Sequence, residues 1–372
     1  MQLGVCGVLG AEPVGKRVGV LTHPAAVLPD LTLDLDALIQ AGQPVVAGFG
    51  AEHGLRGTAQ AGFSESAATD EATGLPIHDT YGMSAEQLAA AFGLADIDVL
   101  LVDLQHVGVR FFTYESTLFD AIAAAELAGV RVVVLDRPNP IGGVAIGGPM
   151  LRPDYASFVG RAELPIRHGL TMGEMAGLFA DRLVARRPDV VPMAGWRRAD
   201  LFGDTGLPWV PPSPNLPTAE AAYAYPGTCL FEGTNISVGR GTTTPFLTLG
   251  APWMDGRFAA ALRAAELPGV GFRDTDFVPA FNDYTGEHLR GVALHVTDPR
   301  AFDPIGAGIA MLTAALRLYP DQVTFGPTFD KLAGSDELRN ALAGGAAAAD
   351  ITGSWQADLS RFADTRDAYL LY

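Results

Sequence analysis

The sequence contains only two cysteines, Cys6 and Cys229, among its 372 residues. Two cysteines without C-x-x-C spacing provide neither a disulfide framework nor the usual ligands of a structural zinc site. No segment approaches the roughly 18 uncharged apolar residues of a membrane-spanning helix, so we expect no membrane insertion. The first residues also lack the pattern of a secretory signal. We expect a cytoplasmic protein, or an exported one if a leader has been removed.

Basic side chains are scarce. There are 25 lysines and arginines against 42 acidic residues, which gives a formal net charge of −17. A nucleic-acid-binding protein needs a basic surface for phosphate contacts, and here the electrostatic interaction would be repulsive over most of the surface. The composition therefore argues against a nucleic-acid partner. It leaves the oligomeric state open.

The apolar residues that are present form a repeating pattern of strands and helices. Continuous apolar runs predict strands that are buried on both faces, and helical spacing lies between them. The predicted strands are 17–23, 44–50, 98–103 and 130–136, and the predicted helices are 31–41, 84–92 and 116–128. This alternation predicts an α/β fold with a Rossmann-like, doubly wound and mostly parallel sheet.

A second, smaller α/β domain is predicted at the C-terminal end. The Pro-rich stretch 209–217 cannot continue a helix or a central strand, and it indicates a rigid crossing between domains. Beyond it we predict a strand over 291–297, in which His295 is a core residue, and helices over about 304–318, 335–343 and 353–370. We therefore predict two domains, 1–222 and 223–372.

Polar residues follow all four predicted strands of the first domain. Ligands bind beyond the carboxyl ends of the strands in sheets of this kind. The residues at these ends include His23, Glu52, Asp103 and Asp136. Because the four loops should lie together at one edge of the sheet, we predict a functional site at that edge.

Nucleotide and metal sites are disfavoured by spacing. The loop at 48–54 is one residue too long for the G-x-G-x-x-G turn, and a Glu–His pair stands where a phosphate would sit. His53 and His106 could converge with the strand-end residues, yet no H-E-x-x-H or comparable spacing exists. We predict no cofactor and no metal ion.

Glu52 and His53 lie at the tip of a strand between Gly50, Gly54 and Gly57. These glycines allow the backbone to approach a ligand closely, and a carboxyl group there can act as a general acid. The alternative interpretation is a loop carboxylate held by Arg56. The residue types alone do not decide between them.

Two further segments have the composition of binding loops. Arg110, Phe111, Phe112 and Tyr114 combine a guanidinium group with aromatic faces, which suits a sugar ring or a carboxylate, although both phenylalanines fit a core equally well. In the second half, the loop 231–242 combines glycines with polar groups that hydrogen-bond hydroxyl and acid groups.

Five segments resemble the signature blocks of one family, the exo-β-N-acetylmuramidases of the NamZ type. They are Phe-Gly-Ala-Glu-His-Gly-Leu-Arg-Gly at 49–57, Val-Gly-Val-Arg-Phe-Phe-Thr-Tyr at 107–114, Leu-Asp-Arg-Pro-Asn-Pro-Ile-Gly-Gly at 135–143, Pro-Ser-Pro-Asn-Leu-Pro-Thr at 212–218 and Phe-Glu-Gly-Thr-Asn-Ile-Ser-Val-Gly-Arg-Gly-Thr at 231–242. The resemblance runs from about Gly15 to beyond Asp298. It implies a Rossmann-like N-terminal domain, a smaller C-terminal domain and release of N-acetylmuramic acid from non-reducing ends of peptidoglycan fragments.

The resemblance also implies that Glu52 is the catalytic carboxylate. The sequence departs from the family at His106, where an aspartate is common, and at Leu289, where a cysteine is often found. We therefore expect an exo-acting glycosidase with a carbohydrate substrate and Glu52 as the acid/base. Its partner is Asp103, Glu232 or Asp136, or the acetamido group of the substrate. The predicted substrate-binding residues are His53, Arg56, Arg110, Tyr114, Asn139, Asn235 and Arg240.

One of the three arginines is expected to bind the lactyl carboxylate of muramic acid, Arg56 or Arg110 before Arg240. Two other classes use the same residues. One is a non-catalytic protein that binds muropeptides or sugar acids, and the other is a metal-dependent amidase or deacetylase.

Overall fold

The computed structural model describes residues 1–60, 62–63, 65–66 and 68–372, which form two compact units. Unit 1 comprises Met1–Ala145, His168–Pro214 and Ala363–Tyr372, and unit 2 comprises Ile146–Arg167 and Asn215–Phe362. The chain passes from unit 1 to unit 2 twice, after Ala145 and after Pro214, and the second crossing lies inside the Pro-rich stretch. The domain boundary predicted at 222/223 stays a prediction.

The described residues form the following strands and helices. The strands are β1 (Val18–Thr22), β2 (Val45–Gly50), β3 (Ala68–Thr69), β4 (Pro76–Asp79), β5 (Val99–Val102), β6 (Arg131–Leu135), β7 (Gly147–Met150), β8 (Pro165–Arg167), β9 (Asp189–Val191), β10 (Thr248–Ala251), β11 (Val270–Phe277) and β12 (Leu289–Val296). The helices are α1 (Cys6–Leu9), α2 (Asp34–Gln40), α3 (Ala85–Leu94), α4 (Thr113–Ala128), α5 (Met172–Leu183), α6 (Ala219–Thr228), α7 (Arg257–Ala264), α8 (Pro304–Leu318), α9 (Pro327–Ala333), α10 (Glu337–Ala343), α11 (Ala348–Ser354) and α12 (Gln356–Asp367). No helix of the described part of the chain is both long and apolar enough to span a bilayer.

Unit 1 is built on a seven-stranded sheet in the order β3-β4-β2-β1-β5-β6-β9. All neighbouring pairs are parallel except β3 and β4. Every residue of β1 and β5 is buried, as continuous apolar strands predict. The core of this unit includes Val20, Leu101 and Val133 from the sheet and Leu35 and Leu38 from α2. The predicted doubly wound, mostly parallel sheet is confirmed.

The helices of unit 1 follow the sequence pattern with shifted ends. Ser84 caps α3 in a capping box: its hydroxyl accepts the N–H of Gln87, and the Gln87 side chain accepts the N–H of Ser84. Helix α4 begins at Thr113, three residues before the predicted start, because Phe112 is already in the extended N-cap conformation. This early start places Thr113, Tyr114 and Glu115 in the first helical turn.

Unit 2 contains a three-stranded antiparallel sheet in the order β10-β12-β11 and a separate hairpin of β7 and β8. Helix α8 has the predicted bounds, whereas the helix predicted over 353–370 is divided into α11 and α12. The prediction of a core position for His295 is wrong. It is exposed because the last two residues of β12 extend beyond the buried part of the strand.

Candidate active site

The carboxyl ends of the parallel strands place polar side chains along one edge of the sheet in unit 1. His23 follows β1, Glu52 follows β2, Asp103 follows β5 and Asp136 follows β6. The predicted collection of polar residues at this edge is therefore present. Their hydrogen bonds distinguish the groups that can react from those that hold the edge together.

The carboxyl group of Glu52 is fixed at both oxygens. Oε1 accepts the N–H of Gly62 at 2.6 Å, and Oε2 accepts the hydroxyl of Thr113 at 2.5 Å. The carbonyl oxygen of Glu52 accepts the Tyr114 hydroxyl at 3.2 Å. The residue is only 7% exposed. Glu52 is therefore a buried carboxylate with a defined orientation, as an acid or base in catalysis requires.

His53 holds the loop that carries Glu52. It has a φ of 76°, a left-handed conformation that is uncommon for residues other than glycine. Its N–H donates to the carbonyl of Phe63 at 3.1 Å, and its Nδ1 lies 3.2 Å from the carbonyl oxygen of Ala59. Strained backbone of this kind clusters at functional sites. The predicted substrate contact of His53 stays a prediction.

Asp103 is engaged in a buried ion pair. Its Oδ1 accepts a hydrogen bond from Nε of Arg137, and its Oδ2 accepts one from Nη2 of Arg137 at 3.0 Å. Asp103 has no exposed surface. Burial and the charge of Asp103 raise the pKa of the neighbouring Asp34 well above its ordinary value. This arrangement argues against Asp103 as the second catalytic carboxylate, because the substrate cannot reach it and the guanidinium group holds both oxygens.

Asp136 is engaged in the same way by hydrogen-bond donors. Its carboxylate accepts the hydroxyls of Thr171 and Tyr372 at 2.7 and 2.8 Å, and the N–H groups of Gly173 and Arg137 at 2.8 and 3.0 Å. Burial raises the pKa of Asp136 to about 6. Four donors around one buried carboxyl group indicate that Asp136 has a structural role, in which it holds together the segments that supply the donors.

His106, Glu115 and His168 form a buried cluster whose potential ligand atoms all lie within 4.8 Å of one another. Glu115 Oε1 is 2.9 Å from Nε2 of His168 and 3.3 Å from Nδ1 of His106. Burial raises the pKa of Glu115 to about 7, and it lowers the pKa of His106. Position 106 therefore carries an imidazole that contacts a carboxyl group from α4.

The tautomer of His168 argues against a metal ion at this cluster. Its Nδ1 accepts the N–H of Leu170 at 3.1 Å, so the neutral ring carries its proton on Nε2. Nε2 therefore donates to Glu115 and has no lone pair for a metal. A metal-binding histidine shows the opposite pattern, in which the nitrogen away from the metal is the donor.

The predicted arginines of unit 1 are held within the protein. The Arg56 guanidinium binds Asp70 at 2.8 and 2.9 Å and Asp36 at 3.1 and 3.3 Å. These hydrogen bonds, that to Asp70 foremost, raise the pKa of Arg56, and the pKa of Asp70 is lowered to about 2. Arg110 is 1% exposed, and burial lowers its pKa to about 9 although the charge of Glu115 opposes this. The geometry therefore disfavours both as carboxylate-binding residues.

Tyr114 and Asn139 are also enclosed. The Tyr114 hydroxyl contacts the carbonyl oxygens of Glu52 and Pro212, the second at 2.9 Å. Asn139 donates to the carbonyl of Leu170 and accepts the N–H of Ile141. A Cβ on Gly108 would lie 2.3 Å from Oδ1 of Asn139, so only glycine fits there. These contacts disfavour the predicted binding role of both residues, because their side chains are used to hold the backbone around the site in place.

The predicted residues of unit 2 form a separate cluster. Glu232 Oε1 accepts Nε of Arg240 at 2.5 Å, and the Arg240 guanidinium lies 5.1 Å from the centre of the Phe246 ring. Nη1 of Arg240 has no hydrogen-bond partner within the described ranges. The Asn235 side chain holds the segment at 322–324 in place: it donates a hydrogen bond to the carbonyl of Gln322 and accepts the N–H of Thr324, both at 2.8 Å. The catalytic role of Glu232 stays a prediction.

Sequence reasoning missed three residues around Glu52. Thr113 stands inside a signature block, but only the early start of α4 reveals its contact. Gly62 contributes a backbone N–H, which has no signal in the sequence. Tyr81 follows β4 and is half-buried, and its pKa is raised by burial and by the charge of Glu52.

The fold and this site are those of an enzyme that can use acid–base catalysis. A Rossmann-like sheet carries an oriented, slightly accessible carboxyl group beyond its strand ends, and such a group can donate or accept a proton.

Comparison with known proteins gives the family. Residues 18–220 match the family described as Exo-beta-N-acetylmuramidase NamZ, N-terminal, and residues 223–372 match its C-terminal counterpart. The chain is 42% identical to the peptidoglycan beta-N-acetylmuramidase NamZ of Bacillus subtilis (strain 168) over 363 residues, 96% of this chain and 87% of the relative. The chain belongs to the exo-β-N-acetylmuramidase NamZ family, and it is a glycosidase.

Two crystal structures of DUF1343 family proteins from Bacteroides fragilis NCTC 9343 share the fold. The first has a TM-score of 0.89 at 33% identity and the second a TM-score of 0.80 at 31% identity. Each comparison covers 100% of this chain and 98% of the other. The similarity extends over both units.

Proposed function

We propose that this protein releases N-acetylmuramic acid from the non-reducing ends of peptidoglycan fragments, with Glu52 as the general acid. The observation that carries the proposal is the Glu52 carboxyl group, held at both oxygens at the carboxyl end of β2 in a member of this family. A glycosidase needs one carboxyl group to protonate the departing oxygen. Of the strand-end carboxyl groups at Glu52, Asp103 and Asp136, Glu52 is the one that keeps exposed surface, at 7%, whereas the two aspartates have none.

The acetamido group of the substrate is our first candidate for the second catalytic group. The two aspartates at the sheet edge are buried and engaged by Arg137 and by four donors, respectively. An acetamido oxygen that attacks the anomeric carbon removes the need for a protein nucleophile. A muramide that carries a 2-hydroxyl group in place of the acetamido group should then not be cleaved. If it is cleaved and Glu232→Gln is inactive, Glu232 becomes the second group.

Turnover of a muramic acid–N-acetylglucosamine disaccharide tests the function. Purified protein should release free N-acetylmuramic acid, whereas a non-catalytic binding protein would bind the disaccharide unchanged. Glu52→Gln should stay folded and lose activity, because the amide keeps the shape but cannot exchange a proton; general acid–base catalysis contributes about 10²–10⁴-fold.

The matched control for this variant is Glu71→Gln, which removes an exposed carboxylate from the same unit and should keep full activity. If Glu52→Gln kept more than a tenth of the parent turnover, the assignment of Glu52 would be wrong.

A further inference from the structure

The first turn of α4 contacts Glu52 through two consecutive side chains. The Thr113 hydroxyl reaches Oε2 of Glu52, and the Tyr114 hydroxyl reaches its carbonyl oxygen. Tyr114 also binds the carbonyl oxygen of Pro212 and has no exposed surface. The backbone and the carboxyl group of Glu52 are therefore both located by α4.

The Thr113 hydroxyl has no structural task in the helix itself. The N-cap position of α4 is Phe112, and no side chain caps the helix there. A threonine hydroxyl at the first helical position can satisfy backbone groups or point outward. Here it donates to a carboxylate 61 positions away in the sequence. The contact is thus a tertiary interaction directed at Glu52.

The chemistry of the donor suits a carboxyl group that releases a proton. A hydroxyl supplies one proton, and its hydrogen bond to an ionised carboxylate is shorter and stronger than one to a neutral acid. The positive end of the dipole of α4, a helix of 16 residues, also favours negative charge at this position. The Gly62 N–H occupies the other oxygen, so rotation of the carboxyl group is restricted.

We propose that Thr113 is a positioning residue, whose hydroxyl orients the Glu52 carboxyl group and stabilises the carboxylate left after proton transfer. This inference rests on the proposed function, in which Glu52 protonates the glycosidic oxygen. In that step the proton moves from Glu52 to the oxygen, and the electron pair of the breaking carbon–oxygen bond stays on the departing alcohol. The anomeric carbon forms its new bond to the nucleophile, for which the acetamido oxygen of the substrate is the first candidate. The Thr113 proton remains on Thr113. Its hydrogen bond becomes stronger as Glu52 becomes negative, so it lowers the barrier without touching the substrate.

The test compares Thr113→Val, which keeps the shape and removes the donor, with Thr113→Ser, which keeps the donor. Kinetics are measured on the muramic acid–N-acetylglucosamine disaccharide across pH. Thr113→Val should lose about ten- to a hundredfold in kcat, the effect of one hydrogen bond to a charged group, with KM within about twofold. The basic limb of its pH–kcat profile should move to higher pH, because Glu52 holds its proton more tightly. Thr113→Ser should restore most of the rate and the parent profile.

Thr117→Val is the matched control. Thr117 lies one turn further along α4, is buried, and donates its hydroxyl to the carbonyl of Thr113 at 3.0 Å without contacting Glu52. It should keep the parent kcat and pH profile, and circular dichroism should show that all three variants are folded.

The inference is wrong if Thr113→Val keeps the parent kcat and pH profile, or if Thr113→Ser is as impaired as Thr113→Val. The proposed function fails separately, when the parent protein releases no muramic acid or when Glu52→Gln stays active.

Discussion

Each polar side chain at the edge of the parallel sheet has one set of partners, and these partners determine what it can do. Asp103 and Asp136 are saturated by Arg137 and by four donors. Arg56 is held by two carboxylates and Arg110 is buried. Arg240 differs from Arg56 because it pairs with one carboxylate, that of Glu232, and it differs from Arg110 because its side chain is partly exposed, at 14%. These contacts favour Arg240 over Arg56 and Arg110 for binding the lactyl carboxylate, and the expected order of the three arginines stays a prediction.

We predict that Arg240→Ala raises KM for muramides about ten- to a hundredfold, and changes KM for the corresponding glucosaminides much less. The lactyl carboxylate is the only charge that separates the two sugars, and a charge-assisted hydrogen bond accounts for a change of this size. Arg240→Lys should recover only part of the loss, because lysine lacks the planar fork. Steady-state kinetics on paired chromogenic substrates measure the effect. An unchanged muramide preference in Arg240→Ala would refute this account of selectivity, but it would leave the glycosidase assignment intact.

At the scale of elements, the loop after β2 is fastened to its surroundings by Arg56. Its guanidinium joins this loop to Asp36 in α2 and to Asp70, which lies between β3 and β4. Asp70 is nearly buried, so its charge needs this partner. Because the pKa of Asp70 is lowered to about 2, its contribution to stability is complete above its ordinary pKa and is lost as pH falls towards 2.

Arg56→Ala should lower the free energy of unfolding by about 1–3 kcal/mol at neutral pH, because a nearly buried carboxylate loses its charged partner. KM for muramides should stay within about twofold of the parent. Urea denaturation and steady-state kinetics provide the two readouts. The control is Arg17→Ala, whose pair with Asp96 is solvent-exposed and should contribute less than about 1 kcal/mol. A large rise in KM with unchanged stability would contradict this structural role and show that Arg56 binds the substrate.

At the scale of the whole molecule, buried carboxyl groups make stability depend on pH. Burial raises the pKa of Glu115 to about 7 and that of Asp136 to about 6. Between their ordinary values and these values the folded protein binds protons that the unfolded chain has released, so both groups reduce stability as pH rises. His106 has a lowered pKa and contributes with the opposite sign in the same range. Arg110 and His168 also face Glu115.

Glu115→Gln isolates one of these contributions. The amide keeps the contacts to His106 and His168 but cannot ionise, so the variant should gain stability relative to the parent as pH rises from 5 to 7.5. The gain is at most about 1.4 kcal/mol for each pH unit. Urea unfolding of both proteins at several pH values measures it. A difference that is constant across this range would show that Glu115 does not titrate there.

The sequence by itself determined the local structure and the place of the chemistry. The apolar runs that became β1, β2, β5 and β6 predicted parallel strands, and helical spacing predicted a helix over 84–92, where α3 lies. Periodicity and caps are local properties, so spacing along the chain is sufficient to read them. The sheet rule then placed Glu52 at a functional edge, and the signature blocks identified the family.

Only the tertiary structure decided which polar residues remain available at that edge. Asp103 pairs with Arg137 across 34 positions, Arg56 reaches Asp36 and Asp70, and Thr113 reaches Glu52 across 61. Such pairs depend on which strands are neighbours and on where a helix begins to within one residue, and neither is encoded in residue spacing. The same limit explains the error at His295. The apolar run around it predicted a core position, but His295 lies near the end of β12, where it is exposed. The strand ends and signature blocks thus predicted a site rich in carboxylates and arginines, and tertiary packing pairs most of these groups with each other.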